Sequence, residues 1–159
     1  MQVLKFGGSS VANAQNMAKV IDIVVNAVDR DRTILVSSAI SGCTDTLIEI
    51  GTLASQRDES YKALIDGLQK QHHDIIDELL PREKQQESLE VCDGLFDLLR
   101  SITQGVYLLG ELSPASLDAI QSFGELWSTK ILATKLASIG IATKWIDSRQ
   151  IIRTVAKGD

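Results

Sequence analysis

Val3-Leu4-Lys5-Phe6-Gly7-Gly8-Ser9-Ser10 is the stretch on which the reading of this chain turns. A short apolar strand ends on a lysine, a glycine pair follows, and two hydroxyl residues stand where a helix begins. Glycines let the backbone approach a ligand without side-chain hindrance, and the free N–H groups of a helix start favour an anion. Lys5 adds a full positive charge. The spacing alone leaves two readings open, a phosphate cradle or a plain tight strand-to-helix turn. It is neither a P-loop, because the lysine precedes the glycines, nor a dinucleotide fingerprint, because G-x-G-x-x-G is absent.

Beyond the loop, Val11, Ala14, Met17, Ala18, Ile21, Val24, Val25 and Val28 recur at helical spacing, with Ser9 or Ser10 as the expected cap. Thr33-Ile34-Leu35-Val36-Ser37 is a β-branched run of buried-strand type, which makes a βαβ unit with two parallel strands. The polar loop Ser38 to Asp45 then leaves the same sheet edge as the glycine loop, where ligands collect in parallel sheets. Leu47 to Ala54 reads as helix.

Two longer helical patterns follow. Tyr61, Leu64, Ile65, Leu68, His72, Ile75, Ile76 and Leu79 mark one face, ended by Pro81; Leu89, Cys92, Leu95, Phe96, Leu99, Ile102, Val106 and Leu109 mark the other. They predict an antiparallel helical hairpin, an insertion at about residues 58–112 laid against the α/β body. Ser113-Pro114 opens a further helix, with Ser122-Phe123-Gly124 as an expected break or bend and Gly140 at its end. Ile141 to Ile146 is the expected third strand. The last dozen residues carry no further strand-and-helix pattern.

The chain has 159 residues, 44% apolar and 23% charged, the balance of a globular domain with a real core. A formal charge of −5 and the absence of any Lys/Arg-rich run argue against nucleic acid as a partner. No leader pattern and no long apolar run is visible, so no membrane partner and a cytoplasmic location are expected. Cys43 and Cys92 fit a reducing compartment as two small hydrophobes. His72 and His73 are helix neighbours pointing about 100° apart, a poor metal pair, one toward the hairpin seam and the other toward water.

Three segments together resemble the aspartokinases of the amino-acid kinase family. Lys5-Phe6-Gly7-Gly8-Ser9-Ser10-Val11-Ala12 is similar to their K-F-G-G-[ST]-S-V-A. Val36 to Asp45 (V-S-S-A-I-S-G-C-T-D) is similar to V-x-S-A-x-S-G-x-T-[DN], and Ser122 to Ser128 to S-x-G-E-x-x-S. The resemblance implies a three-layer αβα fold with a mainly parallel sheet, carbamate kinase-like. It also implies ATP-dependent phosphorylation of the side-chain carboxylate of L-aspartate, with Mg²⁺ held through the nucleotide phosphates. That is the first step toward lysine, threonine and methionine.

Carried over residue by residue, the resemblance gives Lys5 the catalytic contact to the transferred phosphoryl group, with Gly7, Gly8 and Ser9 around the ATP phosphates. Ser38, Thr44 and Glu125 fall on the aspartate side, Glu125 against the substrate ammonium. Without the resemblance, Ser38 and Thr44 read as turn or cap residues and Glu125 as an exposed helix glutamate. Asp147 and Arg149 resemble a W-x-D-x-R stretch and are expected in a salt bridge or at the site edge. The physical chemistry agrees: a free carboxylate with pKa near about 3.9 is already ionised at neutral pH and needs no general base.

A second glycine-rich segment resembling T-T-L-G-R-G-G-S-D, which in these kinases serves the nucleotide and aspartate sites, is not found in the sequence, nor are regulatory ACT or homoserine dehydrogenase domains. The chain therefore reads as the N-terminal part of an amino-acid kinase domain, inactive alone, from a parent enzyme expected to be a homo-oligomer. Two alternatives stay open: another amino-acid kinase, or a catalytically silent α/β association module.

Overall fold

A computed structural model describes residues 1–152. Its centre is the expected βαβ unit: β1 (Gln2–Phe6) and β2 (Thr33–Ser37) pair in parallel, with Gln2 opposite Thr33 and Phe6 opposite Ser37, and α1 (Ala14–Val28) crosses between them. Leu4, Phe6 and Leu35 face the core beside α1. Val3, Ile34 and Val36 on the other face stay exposed, at 60%, 46% and 46%. The continuous apolar run of β2 suits burial on both faces, yet helices cover only one among the described residues. The α/β class stands, in the form of a helix-rich body on a two-stranded sheet.

Four helices complete the body: α2 (Cys43–Ser55), α3 (Tyr61–Leu79), α4 (Arg82–Leu109) and α5 (Pro114–Ser138). Pro81, which lacks a backbone N–H, separates α3 from α4 and starts the hairpin's return. The hairpin packs against both α2 and α5. Its centre is aromatic: Trp127 stacks on Phe96 at 4.0 Å between centroids, with Phe123 and His72 at 5.6 and 4.8 Å from the same ring. His72 is wholly buried there, while His73 is half-buried and meets Asp93 of α4 at 2.6 Å.

Three expectations need correction. The cap of α1 is Asn13, whose side chain accepts the Asn16 N–H at 2.8 Å; Ser9 and Ser10 lie instead in a preceding 3-10 turn, Gly8–Val11. Ser122-Phe123-Gly124 does not interrupt α5, because the helix is held by packing that outweighs one glycine's poor propensity. Ile141 to Ile146 is irregular and makes no ladder. A strand needs a paired neighbour, and here Trp145 is held on α5 instead. Its indole N–H donates to Thr129 at 2.9 Å, and Lys130 lies 3.6 Å above its ring.

Candidate active site

The two loops named from the sequence meet at the C-terminal edge of the sheet. β1 runs into the glycine pair and β2 into Ser38, so parallel pairing alone sets them side by side. The Ser38 N–H donates to the Phe6 carbonyl at 3.0 Å, extending the ladder one residue into the second loop. At Gly8 the approach is close: a Cβ there would lie 3.1 Å from the Ala39 carbonyl oxygen and 3.5 Å from Ser41 Cα. A side chain at this position would push the neighbouring backbone by a few tenths of an ångström.

Lys5 points out of the sheet and folds back, its Nζ 3.7 Å from where a side chain on Gly7 would begin. No carboxylate among the described residues lies within ion-pair distance of it. In the 3-10 turn the Ser10 N–H returns to the Gly7 carbonyl at 3.0 Å, while no backbone carbonyl among the described residues takes the Gly8 or Ser9 N–H. A free ammonium and free amides thus lie on one short loop, a combination that favours an anion.

Glu125 arrives from α5. Its Oε1 accepts the Ala39 N–H at 3.3 Å, so the Ala39 residue touches the glycine loop through its carbonyl and the glutamate through its N–H. Glu125 is exposed and, like Lys5, has no ion-pair partner among the described residues. Ser38 and Thr44 are half-buried, Thr44 in the first turn of α2, and neither hydroxyl is engaged by a protein group among the described residues. The seven residues singled out from the sequence therefore lie at the end of β1, on the two adjoining loops, in the first turn of α2 and on α5.

Two further residues hold this arrangement, and the sequence reading gave them no role. Ser128 is fully buried and its hydroxyl donates to the Ser38 carbonyl at 2.8 Å, tying α5 to the second loop. Gly124 lets α5 approach: a Cβ there would stand 2.6 Å from the Ala39 Cβ. Both fall inside the Ser122–Ser128 segment, so the signal was present as a motif and not as a role. Arg149 donates to Asp147 at 2.7 Å and to Ser122 at 3.0 Å, the expected salt bridge at the site's margin. The Arg149 guanidinium holds the Asp147 carboxyl below the usual range.

Cys43 lies under the site as a packed hydrophobe: burial, and behind it the Glu125 charge, push its thiol up to about 12. Such a thiol is no nucleophile at neutral pH. A cavity of about 280 Å³ lies elsewhere, between α4, α5 and Trp145. The candidate site is an open sheet edge.

Residues 1–158 match the family model described as "Amino acid kinase family". The chain belongs to the amino acid kinase family. Among curated relatives it is 28% identical over 150 residues to the chloroplastic bifunctional aspartokinase/homoserine dehydrogenase 2 of Arabidopsis thaliana, covering 94% of this chain and 16% of that protein. It is 31% identical over 151 residues to chloroplastic aspartokinase 1 of the same plant, covering 94% of this chain and 26% of the relative. Among solved structures, E. coli aspartokinase III in complex with aspartate and ADP superposes with a TM-score of 0.80 at 28% identity, over 96% of this chain and 32% of that one. The same enzyme with lysine and aspartate gives 0.84 at 27% identity. The chain thus spans between about a sixth and a third of the proteins it matches.

Proposed function

We propose that the edge formed by the Lys5–Ser10 and Ser38–Thr44 loops is the phosphoryl-transfer and acceptor side of an aspartate kinase. The observation that carries this reading is the Ala39 residue, whose carbonyl oxygen would stand 3.1 Å from a Cβ on Gly8 and whose N–H donates to the Glu125 carboxylate at 3.3 Å. It joins an anion-seeking loop to a free carboxylate, the pair of charges needed for a phosphate and for a substrate ammonium. The family membership and the aspartokinase relatives support the same assignment.

Phosphoryl transfer requires alignment and neutralisation of developing charge more than proton movement. ATP supplies the γ-phosphoryl group. Lys5 would neutralise its oxygens, the Gly8 and Ser9 amides with Gly7 beside them would hold the phosphate chain, and Mg²⁺ entering with the nucleotide would add charge neutralisation. Among the described residues no group of three His, Cys, Asp or Glu side chains is placed to chelate it. Ser38 and Thr44 offer hydroxyls to the substrate carboxylates, and Glu125 takes the ammonium, so the ionised side-chain carboxylate is presented toward the phosphate loop. The residues form the first part of the kinase domain, with the α3–α4 hairpin, about residues 58–112, as an insertion. The reaction opens the route to lysine, threonine and methionine. A cytoplasmic setting suits the two unpaired, buried thiols, and no helix of the described residues is long and apolar enough to cross a membrane.

The test is an amide-resolved NMR titration of the 159-residue chain with L-aspartate and, separately, with ADP and Mg²⁺. Aspartate is expected to move Ser38, Thr44 and Glu125, and the nucleotide to move Gly7 to Ser9. Lys5→Ala is expected to erase the second set and spare the first. Perturbation by both ligands at some other surface would overturn the assignment. The isolated chain is expected to show no aspartate-dependent ADP release in a coupled assay.

A further inference from the structure

The chain that follows α5 returns along that helix as a strap with two anchors. Trp145 donates its indole N–H to Thr129 at 2.9 Å, and Arg149 donates from Nη1 to Ser122 at 3.0 Å. Thr129 and Ser122 stand about 10 Å apart along the helix axis, a distance that the residues from Trp145 to Arg149 can span. The strap therefore runs antiparallel to α5 over one face of it. Arg149 is itself fixed: the Asp147 carboxylate accepts its Nε–H at 3.0 Å, an Nη2–H at 2.7 Å and its backbone N–H at 3.0 Å. The Ser122 hydroxyl donates to the Ala119 carbonyl at 2.7 Å, so it meets Arg149 as an acceptor.

Helix geometry sets Glu125 between this strap and the Ser38–Ala39 loop. At about 100° per residue, Glu125 projects roughly 60° around α5 from Ser128, which holds the Ser38 carbonyl. Thr129 and Ser122, which hold the strap, lie roughly 40° and 60° from it in the opposite sense. Its carboxylate leans to the loop side, onto the Ala39 N–H. We propose that Arg149 is a positioning residue for Glu125: clamped by Asp147 and bonded to Ser122, it holds the strap as a second wall that keeps the Glu125 carboxylate turned toward Ala39. The consequence for binding rests on the reading of Glu125 as the partner of the substrate ammonium. A long, exposed glutamate loses rotamer freedom when it pairs with a ligand, and a wall that has already restricted it lowers that cost.

Amide-resolved NMR of the 159-residue chain tests this with and without ligand. Without ligand, Arg149→Ala is expected to shift the Ala39 amide and to leave Gly7 to Ser9 in place. An Ala39 amide that does not move overturns the proposal, whatever the substrate is. With ligand, the variant is expected to weaken L-aspartate at least about fivefold but succinate, which has both carboxylates and no ammonium, less than about twofold. In a Glu125→Gln background the same substitution should add nothing. Equal losses for the two ligands, or a full further loss in that background, would make the strap a general support and overturn the positioning role. Should Arg149→Ala unfold, Trp145→Phe frees the other anchor with no change of charge and is expected to give the same Ala39 shift and the same selective loss; neither appearing overturns the proposal. If aspartate moves nothing at Ser38, Thr44 or Glu125 while Ala39 still answers to Arg149→Ala, the aspartate reading fails and the positioning of Glu125 stands.

Discussion

Gly124 illustrates how a single residue can be read correctly as special and wrongly as to why. Its low helix propensity suggested a break, yet its missing side chain is what lets α5 lie against Ala39, where a Cβ would stand at 2.6 Å. Gly124→Ala gains about 1 kcal/mol of helix propensity and meets an overpacking cost of about 1–3 kcal/mol. The obstacle is a Cβ fixed to backbone, with no flexible end to swing away, so the cost should win. A net loss of about 1 kcal/mol in denaturant unfolding is expected, with a shift of the Ala39 amide as its bond to Glu125 is strained. Ser128→Ala should cost about 1–2 kcal/mol more directly, since the part-buried Ser38 carbonyl loses its shortest hydrogen bond. A loss below about 0.3 kcal/mol for Ser128→Ala would mean that water replaces the hydroxyl and that α5 is held by packing alone.

At the level of elements, periodicity carried what is decided within one helix and missed what is decided between elements. The hairpin was legible because α3 and α4 each repeat apolar residues at three and four over many turns, and Pro81 separates them. What the period could not separate was core from shoulder on α4. Leu95, Ile102 and Leu109 belong to the same broad face as Phe96 and Leu99, and only the packing of α2, α3 and α5 selects which part is buried. Ile141 to Ile146 failed for a related reason, since a β-branched run becomes a strand only where a neighbour offers a ladder. The start of α1 was missed by a few residues because three polar candidates compete. Asn13 wins, and Asn16 also donates to the Ser9 carbonyl at 2.9 Å, so the cap and the glycine turn are one unit. Asn13→Ala is expected to cost about 1 kcal/mol in thermal or denaturant unfolding and to broaden the NMR signals of Gly8 and Ser9. Sharp, unshifted signals there would show the turn to be independent of its helix.

For the molecule as a whole, the candidate residues stand out because they sit in three short motifs, while their convergence depends on parallel strand pairing and on α5 crossing the edge. Global stability rests elsewhere, on the aromatic centre where α3, α4 and α5 meet. There His72 donates its Nδ1–H to the Leu68 carbonyl at 2.7 Å, and its Nε2 has no partner, like the nearby Trp127 indole N–H. Burial drives the His72 pKa down from 6.5 to about 4; the adjacent His73 charge adds to this, and the Leu68 bond opposes it. A histidine whose folded pKa lies below its unfolded value is protonated first in the unfolded chain. Stability from this residue is therefore complete above about 6.5 and falls as the pH drops toward about 4, where the loss levels off. Between pH 7 and pH 5, still above the range in which free carboxylates titrate, the expected loss is roughly 2 kcal/mol. Urea unfolding at the two pH values measures it. His72→Leu removes both the titration and the unpaired acceptor, so its stability should be nearly flat across the same interval. An equal slope in that variant would assign the acid sensitivity to groups other than His72, and a flat wild-type curve would mean that the aromatic centre opens enough to hydrate His72 before the chain unfolds.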